Sequence, residues 1–406
     1  MGSKVFSLIL LPTLKCNADC DYCFEDKTND RLSLERLQVL IDKVLDHLVE
    51  KDIAGLMIHW QGGEAMTLPP SWFSQAHALI REAATARGRS VTHGLQTNMI
   101  GYSPKWDGVI GEMFDNSVST SLDYPNLYRR RRGQDVTDYN AVWTDNVRLA
   151  RNAGIDVQVI SVPNAATLEI GAERFYSYLV DELDIRSFQV NTPFPGGETN
   201  LVKRLLPLDT GALARFFVEL AEVWLERGYE SGVRVGPFDE LLAYFSGGQA
   251  VLPCIWTDDC ANHIISIDAR GNVAQCDCWV TSYPDHWFGN IFECESLGAL
   301  LAQSAIVECF HQRPMVLVQR DCIACDYLAV CHGGCPVRTF TVHGTLFEKD
   351  PHCELYKTLF GHMAGAAARL AHHATAAHVA AGQMGPRDLG GEAATARAGH
   401  VPPPSQ

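Results

Sequence analysis

The sequence predicts an α/β fold in which parallel strands alternate with helices, followed by a smaller Cys-rich region. From residue 5 to about residue 228, short apolar runs bounded by Gly, Pro, Asn or Asp alternate with amphipathic segments. Eleven of the fourteen cysteines then fall between Cys254 and Cys353. With 406 residues, 47% of them apolar, the chain has enough material for two or three domains.

Six strands are predicted, at residues 5–11, 55–60, 91–97, 117–122, 156–162 and 186–191. The first helix is indicated by apolar residues that recur on one face from Leu37 to Leu48, with Ser33 as its cap. Further helices are predicted at 71–86, 139–153, 169–183 and 209–227. Six β-α units in succession predict a parallel sheet, open or closed into a barrel. Ligands bind such sheets at the carboxyl ends of the strands, which is where Cys16, Cys20 and Cys23 follow the first strand.

Three segments are predicted: a barrel domain at 1–230, a Cys-rich domain at 231–360 and a tail at 361–406. The Cys-rich domain shows a hairpin pattern at 263–276, and we expect metal rather than a large apolar core to hold it together. The tail is rich in Ala, His, Gly and Pro. A helix is expected at 364–381 and disorder beyond it.

Charge and targeting patterns narrow the classes of function. A formal charge of −15 and a pI of about 5.4 argue against nucleic acid as a partner. The first apolar run is too short to cross a membrane, and the sequence shows no secretory pattern, so a soluble, cytoplasmic protein is expected. In that setting, so many cysteines favour metal ligation over disulfides.

The first cysteine group reads Cys16-x3-Cys20-x2-Cys23. Three thiolates so close in sequence can hold three corners of a [4Fe–4S] cluster and leave one iron open to an external ligand. The alternatives are a zinc site or unrelated cysteines. Zinc prefers four protein ligands in a closed site, and no fourth cysteine lies nearby in the sequence.

This group resembles the signature of the radical S-adenosylmethionine (SAM) enzymes, Cys-x3-Cys-x-aromatic-Cys, with Tyr22 at the aromatic position. The resemblance implies a partial (β/α)6 barrel and a [4Fe–4S] cluster whose free iron binds SAM. It further implies that SAM is cleaved to a 5′-deoxyadenosyl radical that abstracts hydrogen. Tyr22 would then lie near the adenine.

A second group, Gly62-Gly63-Glu64, follows the second predicted strand and resembles the Gly-Gly-Glu motif of the same family. The resemblance implies that the glycines let the backbone approach the methionine end of SAM, and that Glu64 meets its ammonium group. Ser121, at the end of the fourth strand, is expected to contact the ribose or carboxylate of SAM. The four arginines at 129–132 are interpreted either as a site for the carboxylate of SAM or of the substrate, or as a solvated charge cluster.

The C-terminal cysteines resemble the SPASM extension of radical SAM enzymes, and the best match is to the anaerobic sulfatase-maturating branch. Zinc is the alternative for the Cys-x2-Cys pair. The resemblance implies two auxiliary [4Fe–4S] clusters, hence three in all. The first would be held by Cys254, Cys260, Cys276 and Cys335, and the second by Cys322, Cys325, Cys331 and Cys353.

The same branch has an Asp directly after the third of these cysteines, where it is proposed as a general base, and this chain has Asp277 there. The chain departs from the branch where a substrate would enter. Glu25 stands where an aromatic residue is common, and Asp123-Tyr124-Pro125 replaces a common Asp-Gly-Pro. Cys278, Cys294 and Cys309 are left over and are interpreted as buried or incidental thiols.

The sequence therefore predicts a radical SAM oxidoreductase that oxidises or cross-links a side chain of a peptide or protein. The alternative is a dehydrogenase or epimerase of a small molecule, such as a sugar or aminocyclitol in natural-product biosynthesis. A non-catalytic electron carrier is a third class, which would not need a cluster with an open iron. A flavodoxin- or ferredoxin-type protein is expected as electron donor.

Overall fold

The computed structural model describes residues 5–193, 208–258 and 260–380. Seven consecutive strands, β1 to β7, pair in parallel in chain order, and all ten strands lie in one sheet. They are β1 Val5–Leu10, β2 Gly55–Trp60, β3 Ser90–Thr97, β4 Ser117–Ser121, β5 Asp156–Ser161, β6 Ser187–Val190, β7 Arg234–Gly236, β8 Ile264–Ile267, β9 Asn272–Ala274 and β10 Gly289–Asn290.

Helices connect the parallel strands and continue through the C-terminal region. The described helices are α1 Leu34–Glu50, α2 Pro70–Ala86, α3 Asp107–Phe114, α4 Val136–Asn152, α5 Ala165–Ser177, α6 Thr210–Arg227, α7 Phe238–Phe245, α8 Asp277–Ser282, α9 Leu297–Gln303, α10 Ala305–Leu317, α11 Leu328–Cys331, α12 Pro336–His343 and α13 Cys353–Ala380. None of the helices in these ranges is long and apolar enough to span a membrane.

Helix α1 shows why the pattern was informative. The Ser33 hydroxyl accepts a hydrogen bond from the Arg36 N–H and caps the first turn. The apolar face predicted from Leu37 to Leu48 is fully buried against the sheet. Burying each such side chain contributes about 1.5–3 kcal/mol, so this face fixes the helix on the sheet.

The fold class is confirmed. All six predicted strands form, with ends within about two residues of those expected. The sheet order also shows what the pattern did not reveal: β8 pairs in parallel with β1, so the Cys-rich region extends the same sheet. The domain boundary predicted after residue 230 falls between α6 and β7, and β7 pairs with β6 across it.

The expectation that the Cys-rich region lacks a large apolar core was wrong. Trp279 packs against Phe310 and Phe340, with ring centroids 5.6 and 5.2 Å apart. Elsewhere in the same region, the ring of Trp256 contacts the ring of Phe360 on α13, with centroids 4.9 Å apart. Helix α13 begins at Cys353, eleven residues before the predicted helix at 364, because its first turns pack into this aromatic core. The predicted disordered tail from 382 lies outside the described residues.

Candidate active site

The loop between β1 and α1 carries the first cysteine group. Cys16 is buried, and Cys20 and Cys23 are half-buried. Desolvation opposes the charge of Lys27, but the charges of Cys23, Cys16 and Cys20 outweigh it and raise the Lys27 pKa. One lysine is therefore within electrostatic reach of all three sulfurs, as three ligands of one cluster require.

A second segment holds this loop in place. The Asp19 N–H donates to the Arg130 carbonyl (2.8 Å), and the Asp21 N–H donates to the Tyr128 carbonyl (3.0 Å). The Asn98 side chain donates to Asn17 Oδ1 (2.7 Å) and ties the loop to the end of β3. The cysteine loop is thus fixed from other strand ends as well as by bonds of its own, such as Lys27 Nζ to the Ala18 carbonyl (3.1 Å).

The two glycines after β2 pack against the backbone that leads into Cys16. A Cβ on Gly62 would lie 2.4 Å from the Thr13 carbonyl oxygen, and one on Gly63 would lie 2.6 Å from the Lys15 carbonyl oxygen. The Gly63 and Glu64 N–H groups donate to the carbonyls of Thr13 (3.1 Å) and Lys15 (2.9 Å). In this structure, the two glycines allow the turn after β2 to pack closely against the loop after β1.

The Glu64 carboxylate is buried between these loops and the end of β3. It accepts hydrogen bonds from Thr97 Oγ1 (2.6 Å), the Asn98 N–H (2.7 Å) and the Met66 N–H (2.9 Å). Desolvation, followed by the negative charge of Glu64, raises the pKa of Cys16 to about 12. The predicted motif residue therefore lies beside the first cysteine group.

Tyr22 is held by a buried ion pair. Its hydroxyl donates to Asp123 Oδ2 (2.5 Å), and Nε of Arg129 donates to the same oxygen (2.8 Å). Asp123 is only 1% exposed, and its Oδ1 also accepts from the Val162 N–H at the end of β5 (3.0 Å). This network fixes the ring of Tyr22, and the sequence reasoning did not identify it.

The other predicted contacts at the strand ends are also engaged. Ser121 Oγ accepts from the Gln96 side chain (3.0 Å). Arg130 forms an ion pair with Asp21, and Arg131 with Asp138 (3.1 Å). Three of the four arginines at 129–132 thus neutralise carboxylates of the protein, a role that neither interpretation of the run included.

Asp277 begins α8, immediately after Cys276, and faces the end of β2. Desolvation raises its pKa, while hydrogen bonds from the Cys278 backbone and the Gln61 side chain oppose the rise. Helix α8 is anchored to the cysteine loop, because Ser282 Oγ donates to the Phe24 carbonyl (2.7 Å). Desolvation and then the charge of Asp277 raise the pKa of Glu25 to about 8, so the two carboxyl groups are within electrostatic reach of each other.

Four of the C-terminal cysteines form a second convergent set. Desolvation raises the pKa of Cys260, and the negative charges of Cys276, Cys335 and Cys254 add to the rise. Cys254 is exposed, and the other three are half-buried. Four sulfurs within mutual reach fit a cluster with four protein ligands.

The four cysteines predicted for the second auxiliary cluster line one cavity, between α11 and the start of α13. Cys322, Cys325, Cys331 and Cys353 all contribute to its wall, together with Tyr327 and Phe360. Desolvation raises the pKa of Cys331 to about 12, and the negative charge of Cys353 adds to the rise. A thiol-lined cavity with aromatic walls fits a fully ligated cluster.

Cys278 is the residue whose position sequence reasoning missed most clearly. Its sulfur, the Cys276 sulfur and an Asp277 oxygen all lie within 4.8 Å of one another. The cysteine spacing of known motifs assigns no role to a cysteine that lies two residues after a cluster ligand. The short helix α8 brings it back beside Cys276.

An open parallel sheet, with three convergent cysteines and a buried Gly-Gly-Glu turn at its carboxyl edge, defines a radical SAM domain. Residues 10–165 match the model of the Radical SAM superfamily. The chain is an enzyme with a radical SAM domain, and its Cys-rich C-terminal region is consistent with the SPASM type; enzymes with a radical SAM domain use SAM and a [4Fe–4S] cluster.

Its relatives include anaerobic sulfatase-maturating enzymes. It is 24% identical over 348 residues to the serine-type enzyme of Bacteroides thetaiotaomicron, covering 80% of this chain and 81% of the relative. It is 23% identical over 373 residues to the cysteine-type enzyme of Clostridium perfringens, covering 87% of this chain and 95% of the relative.

Solved structures show the same fold. Native anSMEcpe with bound AdoMet and the Cp18Cys peptide matches with a TM-score of 0.75 at 22% identity, covering 91% of this chain and 99% of that one. Streptococcus suis SuiB bound to its precursor peptide SuiA matches with a TM-score of 0.53 at 14% identity, covering 87% and 76%.

Proposed function

We propose that this chain is a maturase that oxidises or cross-links a side chain of a peptide or protein. One observation carries the proposal: Asp277 directly follows Cys276 at the start of α8, and Ser282 at the other end of this helix donates to the Phe24 carbonyl beside the first cysteine group. A base placed there can act on a substrate that also reaches the SAM site. The relatives named as sulfatase-maturating enzymes support a peptide or protein as the substrate.

The cysteines would be divided among three [4Fe–4S] clusters. Cys16, Cys20 and Cys23 would hold the SAM-binding cluster, because three convergent sulfurs leave one iron open. Cys254, Cys260, Cys276 and Cys335 would hold one auxiliary cluster, which the electrostatic coupling of these thiols supports. Cys322, Cys325, Cys331 and Cys353 would hold the other, which the cavity that they line supports.

When bound, the first cluster and SAM would supply the 5′-deoxyadenosyl radical that removes a hydrogen atom from the substrate. Around them, the buried carboxylate of Glu64 would meet the ammonium of SAM, and the ring of Tyr22, fixed by Asp123, would lie near the adenine. Ser121, oriented by Gln96, would face the ribose or carboxylate of SAM. These groups orient SAM and exclude water from a reactive site.

Asp277 would take the substrate proton as a second electron leaves the substrate. The balance is one hydrogen atom to the radical, one proton to Asp277 and one electron to the adjacent auxiliary cluster. Burial of Asp277 raises its pKa and so favours the protonated form after transfer. A flavodoxin- or ferredoxin-type protein would supply the electron that starts each turnover.

The test is substrate-dependent formation of 5′-deoxyadenosine. The reconstituted enzyme, with SAM and a reductant under anaerobic conditions, is offered peptide and small-molecule fractions separately, and substrate masses are followed. Stimulation by peptides with a matching mass loss supports a maturase. Stimulation only by small molecules would overturn the peptide proposal and indicate the dehydrogenase or epimerase alternative.

A further inference from the structure

The Cys-rich region contains a buried arginine beside the first auxiliary cysteine set. Arg338 lies on α12, three residues after Cys335, and is only 6% exposed. Such a charge is costly to bury unless negative groups compensate it. Arg338 therefore needs compensating groups around it.

Hydrogen bonds account for only part of the guanidinium. Nη1 donates to the Tyr356 hydroxyl (2.7 Å) and Nη2 donates to the Thr192 carbonyl (3.2 Å), whereas the buried Nε has no partner in the described chain. Within the described residues, no carboxylate lies within 4.0 Å of Arg338 in an ion pair. The buried carboxylate of Asp350 is directed instead at the Cys335 N–H (2.7 Å) and the His352 N–H (2.8 Å).

Desolvation lowers the pKa of Arg338, but the charges of Tyr356, Cys335, Asp350 and Cys254, in that order, outweigh it. The Tyr356 hydroxyl links Arg338 to Asp350 (3.3 Å), and two of the other groups are cysteines of the first auxiliary set. Cys335 and Cys254 are both within electrostatic reach of its charge. Cys335 also caps α12, so the positive end of that helix faces the same sulfur. The arrangement suits an anion larger than a single thiolate at this position.

We propose that Arg338 is the fixed counter-charge of the auxiliary cluster held by Cys254, Cys260, Cys276 and Cys335, and that it raises the reduction potential of that cluster. The inference rests on the ligand set of the proposed function. A [4Fe–4S] cluster with four thiolate ligands is anionic, and one added electron makes it more negative without a proton. A buried positive charge therefore stabilises the reduced form more than the oxidised form.

A second buried arginine has a different role. Arg313 is also within reach of Cys335 and Cys260, but it donates to the carbonyls of Leu346 (2.9 Å) and Gly333 (3.0 Å). These bonds hold the loops around the second auxiliary set. A substitution of Arg313 would therefore disturb the structure of these loops, whereas a substitution of Arg338 tests the effect of a buried charge.

The experiment compares Arg338→Met and Arg338→Lys with wild type, each reconstituted in a chain that lacks the thiols of Cys16, Cys20 and Cys23. Midpoint potentials of the auxiliary clusters are measured by EPR during redox titration with dithionite and mediators, and iron and sulfide are counted. Tyr356→Phe removes a hydrogen bond of Arg338 and keeps its charge. Arg148→Met alters an exposed arginine on α4.

We expect Arg338→Met to shift one auxiliary potential to a more negative value, beyond the spread between wild type and Arg148→Met. Arg338→Lys and Tyr356→Phe should stay near wild type. An unchanged potential in Arg338→Met at full iron content would overturn the proposal, as would an equal shift in Tyr356→Phe. If the Met variant does not fold, Arg338→Gln, which can still donate to Thr192, is judged by the same criteria.

A failure of the underlying ligand set gives a different result. The shifted signal is assigned by its loss in Cys260→Ser, together with a loss of about four iron atoms per chain. If Cys260→Ser keeps its full iron content, the ligand set is wrong, whatever the potential of the Arg338 variants.

Discussion

At the residue scale, the site depends on a few polar side chains whose positions are fixed by neighbours far away in the sequence. Tyr22 is fixed by Asp123, which Arg129 and the backbone at Val162 hold in turn. Asp277 is placed by α8, whose last residue, Ser282, is bonded to Phe24. Function at this scale depends on contacts between the cysteine loop and segments that enter from other strands.

Asp277→Asn should separate radical formation from product formation. The variant keeps the shape of the side chain but cannot take the substrate proton, so product formation should fall by about 10²–10⁴-fold. Iron content and SAM cleavage should be retained. The measurement is product mass and 5′-deoxyadenosine in the same reaction, with Asp285→Asn, an exposed acid nearby, as the matched control. Product at the wild-type rate in Asp277→Asn would show that another group takes the proton.

Cys278→Ser and Cys276→Ser should differ sharply, although the two sulfurs lie within 4.8 Å of each other. We expect Cys276→Ser to lose about four iron atoms per chain and Cys278→Ser to lose none. Because the side chains are equally small and half-buried, each variant serves as the control for the other. Iron loss in the Cys278 variant alone would transfer the ligand role to Cys278.

The cysteine ligand candidates were accessible from the sequence because their spacing is local and distinctive. The Tyr22, Asp123 and Arg129 network was not, because residues 22 and 123 lie in loops after β1 and β4, two strands that β2 and β3 separate in the sheet. The role of the arginine run was missed for the same reason. A charge run does not reveal that Asp21 and Asp138 neutralise it.

At the element scale, the turn after β2 links the sheet to the cysteine loop. Gly62 has φ +122° and both glycines meet carbonyl oxygens of residues 13–15. The sequence predicted this turn and its glycines but assigned them to the approach of SAM. The sequence did not reveal that this turn packs against residues 13–15, because the pattern of a strand does not show which loop lies against its end.

Gly63→Ala should destabilise the protein by about 1–3 kcal/mol and lower the iron content, since the added Cβ would lie 2.6 Å from the Lys15 oxygen and 2.7 Å from the Leu14 oxygen. Chemical denaturation of the metal-free chain measures the first effect. Gly108→Ala is the control: its Cβ would meet nothing within 4 Å, and alanine favours helix α3. Equal stability of the Gly63 variant and wild type would contradict this role of the turn.

At the scale of the whole molecule, one sheet joins the barrel to the Cys-rich region, through the pairing of β8 with β1. The strand pattern predicted a parallel sheet, open or closed into a barrel, because six repeated β-α units leave few topologies. It did not predict this junction, since β8 is only four residues long and lies more than 250 positions from its partner. The junction sets Asp277 and its neighbouring sulfurs over the carboxyl end of β2.

The most direct test of the whole account is the iron and sulfide content of the anaerobically reconstituted chain. Three [4Fe–4S] clusters on eleven cysteines predict about twelve iron and about twelve sulfide per chain. The variant without the thiols of Cys16, Cys20 and Cys23 should retain about eight of each and lose SAM cleavage. About four iron per chain in the wild type, all lost in that variant, would contradict the assignment of the eight C-terminal cysteines.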